Sequence, residues 1–251
     1  MEIFSTDFNI IKLFIWYLMI YIFLIIFNYL IPVGLIYFLF YKNHINLFPK
    51  IQKTESSKFH RKLEIKHSFI SLNINAFLVL IALVLFLKGH SKIYLNIEEK
   101  GWLYFFTSPF IALILHDTYF YWMHRMEHIK FIFKRIHRVH HYSKTPTPWA
   151  IFSFDLPDAF LNTIFPVGII FIIPFHPIAL LFYYLFNLSF NIIGHLGYEV
   201  FPIGWGRNPI LKWFSSASNH DMHHVNPKVN FGLYFCFWDY LMKTYDKKQS
   251  G

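Results

Sequence analysis

Residues 13–40, LFIWYLMIYIFLIIFNYLIPVGLIYFLF, hold no charged side chain across 28 positions. About 20 apolar residues are enough to cross a bilayer as a helix. A soluble protein of this size has no core wide enough to bury such a helix on every face. The stretch therefore predicts a membrane crossing, kinked or broken near Pro32 and Gly34. It is too long for a cleavable leader, and no small-residue cleavage site follows, so it reads as a retained anchor.

The rest of the chain agrees. Charged residues make up 15% of the sequence and aromatic residues 22%, against a usual ~25% charged. Residues 68–87 and 102–123 read as two further crossings. Residues 159–194, with Pro174 and Pro177 in the middle, read as an apolar hairpin of two short arms. The expected fold is all-α: a membrane helical bundle with about three full crossings plus that hairpin. It is one domain, with residues 1–100 as anchor helices and 101–245 as the catalytic region.

The net charge is +9. Seven Lys and Arg against two Glu fall in residues 41–66. A second basic run holds Arg125, Lys130, Lys134, Arg135, Arg138 and Lys144. Basic loops beside apolar segments fit anionic lipid better than nucleic acid, and they mark the cytoplasmic side. Residues 88–101 are then the opposite turn. With one cysteine, Cys236, no internal disulfide and no CxxC metal site can form.

Ten of the 15 histidines lie in three short stretches. The first, residues 116–141, contains His116, His124, His128, His137, His140 and His141. His195 stands in GHLGYE, and His220, His223 and His224 stand in NHDMHH. His124 and His128 are four apart, so a helix places them on one face. HRVHH (137–141) and HDMHH (220–224) repeat an HxxHH pattern that aims two or three imidazoles at one point. So many neighbouring imidazoles repel when charged and lose hydrogen bonds when buried neutral. A metal removes both costs, and eight or nine ligands exceed what one tetrahedral ion takes. His44, His60, His67, His90 and His176 fall outside these stretches and are expected at the surface or the membrane interface.

HRMEH, HRVHH and HDMHH, followed by NFGLYFCFWDYLMKTY, resemble the fatty acid hydroxylase/sterol desaturase superfamily of membrane-bound di-iron oxygenases. HDTYFYWMHR, HHYSKTPTPWA and GHLGYEVFP also fit, and the resemblance covers about residues 100–245. It implies two iron ions, with O2 as co-substrate. It implies hydroxylation or desaturation of an unactivated C–H bond in a lipid, with two electrons from a separate donor such as a b-type cytochrome or ferredoxin. No GxGxxG is present, and no bound flavin or haem is expected. The metal ligands implied by motif match are His124, His128, His137, His140, His141, His220, His223 and His224, with His195 as a ninth. His116, Asp117, Glu199, Asn219, Asp221 and Asp239 are candidates for further ligands or for groups that orient the ligand imidazoles. Tyr119, Phe120, Tyr121 and Trp122 read as core and membrane belt.

The substrates used by relatives include sterols, fatty acyl chains, sphingolipids, alkylglycerols and carotenoids. Acyl-lipid desaturases share three histidine boxes, but HR in HRMEH, GHLGYE and FWD favour the hydroxylase/sterol side. A zinc-dependent membrane hydrolase is a second class, although no HExxH occurs. A non-redox membrane metal binder or transporter is a third, although its ligands would sit near mid-membrane. Metal content separates the three.

Overall fold

The computed structural model describes residues 8–43 and 47–246, so His44 lies outside the described residues. Six long helices organise the chain: α1 (Ile10–Lys42), α2 (Lys58–Leu87), α3 (Gly101–Glu127), α4 (Leu156–Ile172), α5 (Pro177–Gly194) and α6 (Ala217–Val225). Among the described residues there are only isolated β-bridges and no sheet.

Helix α1 does not break at Pro32. It widens into π-helical turns over Leu24–Leu30, where the Ile31 N–H reaches the Ile26 carbonyl, and Pro32 then falls in the first turn of the next α-helical stretch. Proline's missing N–H falls where the bonding shifts from π-helical to α-helical, so the helix runs on through it. Helix α2 begins ten residues before the apolar run, because the Ser57 side chain caps it by accepting from the His60 N–H at 3.1 Å. Arg61, Lys62 and Lys66 thus ride on the helix rather than in a loop.

Among the described residues three helices are long and apolar enough to cross a membrane: α1, α2 and α5. Helix α3, the expected third crossing, has 27 residues and so spans about 40 Å. Thr107, Ser108, His116, Asp117 and Thr118 make it less apolar than those three. Helices α4 and α5 form the expected hairpin. Its tip is pinned to the 88–101 turn, where Tyr94 N–H donates to the Phe175 carbonyl at 3.1 Å and Phe175 N–H to the Lys92 carbonyl at 3.2 Å.

Packing explains how polar residues come to lie at one end. Leu72 and Ala76 of α2 meet Tyr29 and Val33 of α1 in one cluster. Ala82, Ala112, Leu113 and Ile169 bring α2, α3 and α4 together in another. The alanines let the helices approach closely, as membrane packing favours. Large apolar side chains such as Phe14, Phe27, Leu103 and Phe110 remain exposed on the outside, a surface suited to lipid rather than water. His176, expected at the surface, is buried instead: its Nδ1 caps α5 by accepting from the Ile178 N–H at 3.3 Å. His60 and His67 are half-buried, and His90 is exposed.

Candidate metal centre

The histidines converge where α3 ends, α5 ends and α6 runs. His124 and His128 occupy one face of the last turn of α3. His137, His140 and His141 follow in the tight turns after it. His195 closes the C-terminus of α5, and His220, His223 and His224 lie on α6. They form two groups whose ligand atoms lie within 4.8 Å of one another: His124, His128, His137, His141 and His223, and then His140, His195, His220 and His224. The groups adjoin. The His141 and His224 rings are 4.8 Å apart between centroids, and those of His137 and His140 are 5.1 Å apart.

Hydrogen bonds fix which nitrogens face inward. The Nδ1–H groups of His124, His195, His223 and His224 donate to the main-chain carbonyls of Phe231, Asn191, Val229 and Ser143, at 3.0, 2.8, 2.7 and 3.0 Å. A carbonyl oxygen can only accept, so in the neutral rings Nε2 carries a bare lone pair. The Nε2 atoms of the grouped histidines lie close to one another. His124 lies 3.2 Å from His137 and 3.3 Å from His128. His220 lies 3.1 Å from His195 and 3.2 Å from His224, and His195 lies 3.4 Å from His140. Two nitrogens bound to one ion at about 2.0–2.1 Å stand roughly 2.9–3.4 Å apart. Nε2 of His141 and of His223 is buried with no hydrogen-bond partner.

Protons do not relieve the crowding. Burial first, and neighbouring imidazoles second, hold His137, His140, His141, His220 and His224 well below the ordinary imidazole value. His223 is held down mainly by burial. Neutral imidazoles with converging bare nitrogens are a donor set for a transition metal, and the residues present fit one ion in each group.

The segment after α6 is tied down by carboxylates. Asp239 accepts from the N–H groups of Phe231 and Gly232, both at 2.9 Å. Asp117 accepts from those of Leu233, Tyr234 and Phe235, at 3.2, 2.7 and 3.1 Å. A side chain at Gly232 would collide with the Phe235 main-chain oxygen, so only glycine allows this turn. Asp239 thereby steadies the carbonyl that holds His124.

A small cavity lies in front of both groups, bounded by His124, His137, His140, His195 and His220. It continues into a larger space walled by α1, α2, α3, α4 and α5. Phe120 faces this space, with its ring 5.0 Å from that of His124, rather than serving only as core or belt.

Residues 109–244 match the fatty acid hydroxylase family model. The chain belongs to the fatty acid hydroxylase family. All nine grouped histidines lie inside the matched segment. Similar proteins include a Delta(7)-sterol 5(6)-desaturase of Gibberella zeae, 28% identical over 85% of this chain and 63% of its own length. The lathosterol oxidase of Mus musculus is 35% identical over 61% of this chain and 50% of its own. The human lathosterol oxidase is 31% identical over 74% and 62%. This family member thus spans between half and just under two thirds of the length of these relatives. No solved structure matches it significantly.

The six further candidates from sequence stand outside both groups. His116 Nδ1 is met by the Tyr183 and Tyr234 hydroxyls, at 2.9 and 2.8 Å. Glu199 accepts from the N–H groups of Phe201 and Ser218. Asn219 forms a capping box with Ser216 at the start of α6, and Asp221 accepts from Gln52 at 2.9 Å. Asp117 and Asp239 bind backbone, as described above. Sequence reasoning missed Asp158 and Glu127. Asp158 Oδ2 accepts from His137 Nδ1–H at 2.9 Å, and Glu127 Oε2 lies 3.5 Å from the same nitrogen. Both acids are fully buried. The signal for Glu127 was its place inside HRMEH, beside His128. Asp158 carried none, being 17 residues beyond the nearest box. Glu64 was missed too: it accepts from the Ser143 and Thr147 hydroxyls, behind the carbonyl that holds His224.

Proposed function

We propose that this protein is a membrane-bound di-iron oxygenase that hydroxylates or desaturates an unactivated C–H bond of a lipid. One observation carries the reading: nine imidazoles, in two adjoining groups whose ligand atoms converge, end a cavity that opens among membrane helices. His124, His128, His137, His141 and His223 would hold one iron, and His140, His195, His220 and His224 the other. Iron bound there supplies the activation of O2 that C–H oxidation needs. The chain supplies the rest. Main-chain carbonyls and Asp158 keep His124, His137, His195, His223 and His224 in the ligating tautomer, and Phe120 and Phe154 wall the reacting carbon from water. Helices from the first 100 residues also wall the cavity through Leu24 and Val79, so anchor and catalytic region work as one unit.

The relatives named as sterol desaturases and lathosterol oxidases favour a sterol as substrate. Basic residues near the histidines favour a cytoplasmic metal centre. Lys134, Arg135, Arg138 and Lys144 are exposed there and suit an acidic electron-carrier protein, a b-type cytochrome or ferredoxin, that delivers the two electrons.

Two measurements test the proposal. Purified full-length protein should carry about two irons, and His140→Ala or His223→Ala should lower that number. Membranes expressing the chain should contain a lipid that has gained one oxygen or lost two hydrogens. A single zinc, or a loosely exchanging ion with unchanged lipids, refutes the oxygenase reading.

A further inference from the structure

Beside the five-histidine group runs a row of aromatic rings that neither metal ligation nor the cavity uses. The Phe231 ring lies 5.7 Å from that of His124 and 5.5 Å from that of His128, centroid to centroid. Tyr121 follows at 6.0 Å from Phe231, and Trp238 stacks on Tyr121 at 6.0 Å. Trp122 lies 5.5 Å from Trp238 and 5.4 Å from Tyr121. Tyr121 is fully buried, whereas Trp122 is 44% exposed. The row thus leads from two histidines of one group to the surface of the protein.

The hydrogen bonds of the Tyr121 hydroxyl run in one direction. Arg125 Nη1 donates to it at 3.2 Å. On its other side Thr244 Oγ1 stands 3.0 Å away, and Thr244 Oγ1 in turn lies 2.8 Å from Asp239 Oδ1. A carboxylate only accepts, so Thr244 gives its single proton to Asp239, and Tyr121 must donate to Thr244. Phenol, alcohol and carboxylate therefore form a line along which a proton can leave the tyrosine. Tyr119, two residues earlier on α3, has no such line. Its hydroxyl donates to the Leu161 main-chain carbonyl at 2.9 Å, and an amide oxygen is too weak a base to keep a proton.

A phenol that loses an electron becomes a strong acid, so it is oxidised most readily where a base takes its proton. The Arg125 cation beside the ring adds to this, because it opposes a charged radical and favours a neutral one. We propose that Tyr121 is a redox-active tyrosine that drains oxidising equivalents from the metal centre when no lipid is seated before it. The proposal rests on the oxygenase reading. Reducing O2 to two waters takes four electrons and four protons. With substrate in place, two electrons come from the carrier protein and two from the C–H bond. Without substrate, Tyr121 gives the centre one electron, its proton passes to Thr244, and Thr244 passes its own to Asp239. A neutral tyrosyl radical remains. One electron from the carrier then enters at Trp122 and Trp238 and refills Tyr121, whose proton returns from Asp239. Two such passes supply the missing pair, so the carrier gives all four electrons and solvent all four protons. The ligand histidines are spared oxidation.

The test reads radicals rather than turnover. Full-length, iron-loaded protein free of lipid substrate is mixed with hydrogen peroxide, frozen and examined by electron paramagnetic resonance. The wild-type chain should show an organic radical whose splitting collapses when its tyrosines are ring-deuterated. Tyr121→Phe should lower that signal several-fold and raise oxidation of the ligand histidines, counted by peptide mass spectrometry. Thr244→Val keeps the ring but cuts the proton line, and should lower the signal as well. Tyr119→Phe should leave it unchanged. Peroxide consumed by the wild type with no tyrosyl signal overturns the proposal and spares the oxygenase reading; that comparison needs no variant that must fold. A signal undiminished in Tyr121→Phe or in Thr244→Val overturns it too. A second arm needs no iron. A ruthenium photo-oxidant is tethered to Met126→Cys, an exposed position one turn beyond Trp122, and fired by a flash. Tyrosyl absorption that Tyr121→Phe abolishes is expected, and its absence overturns the aromatic route. If the flash oxidises Tyr121 but iron-loaded protein never reacts with peroxide, the oxygenase reading fails and the route stands.

Discussion

Replacing Asp158 with leucine should loosen one metal ion and leave the other in place. The fully buried Asp158 carboxylate takes the Nδ1–H of His137 at 2.9 Å, which aims that ring's Nε2 at the five-histidine group. Outer partners of metal-bound histidines typically change affinity by about 10- to 100-fold. Glu127 lies 3.5 Å from the same nitrogen and can take over part of the role. Asp158→Leu alone should therefore cost about tenfold, and Asp158→Leu with Glu127→Leu about a hundredfold. Asp158→Asn keeps an acceptor and should fall between the wild type and the leucine variant.

The assay is chelator titration of full-length protein in detergent, with iron per chain measured at each step. Release should split into two steps, only the first shifted by Asp158→Leu. Asp221→Asn is the control: Asp221 meets Gln52 and no ligand histidine, so its titration should overlay the wild type. Loss of both irons in one unshifted step, or a shift confined to the second, refutes the assignment of Asp158 to one group.

Three further outcomes are expected. Single cysteines placed at Lys53, Lys144 and Lys228 should react with an impermeant reagent only from the cytoplasmic side, and one at Lys92 only from the other side; reaction at Lys144 and Lys228 from opposite sides rules out the hairpin topology. Metal-free protein should lose stability as pH falls below about 6.5, because unfolded imidazoles then take up protons that the buried ones, held lower, refuse; a denaturation midpoint flat from pH 7 to 5 contradicts this. Lys134→Glu with Arg135→Glu should slow turnover driven by a protein electron donor several-fold at low salt but spare turnover driven by peroxide, and equal loss in both reactions assigns the basic cluster to the membrane or the fold.

Much of this architecture is legible in the sequence because membrane helices obey a one-dimensional rule. A run without charge must be helical and must cross, so residues 13–40 and 68–87 leave little choice. The α4–α5 hairpin follows from length and two prolines. Helix α3 is harder to read: its inward face carries His116 and Asp117, whose partners Tyr183 and the 233–235 backbone are far away in sequence. The continuity of α1 through Pro32 could not be read either, since a π-helical widening leaves no compositional trace. The histidine spacings announced a shared site, but not how nine rings divide between two groups. His140 and His141 are adjacent in sequence, yet they serve different groups because the tight turns after Val139 point successive side chains in different directions.

The least legible part is the frame around the histidines, and it has a consequence for how the centre forms. Four imidazoles are aimed by main-chain carbonyls, of Ser143, Asn191, Val229 and Phe231. Any residue type supplies a carbonyl, so these contacts leave no mark in composition. Three of the four lie in irregular segments: Ser143 follows the second box, and Val229 and Phe231 follow α6. Those segments are held in turn by Glu64, Asp117 and Asp239, which reach them from α2, α3 and the chain end. The loops do not shape the site on their own. Helix packing places the buried acids, the acids fix the loop backbone, and the backbone aims the imidazoles. At the end of that sequence the bare Nε2 atoms of His124 and His137 stand 3.2 Å apart, repelling one another until a cation sits between them. The frame built by the helices thus holds the histidines ready for a cation, and removing the metal should loosen these loops, read as faster hydrogen exchange over residues 137–147 and 226–236.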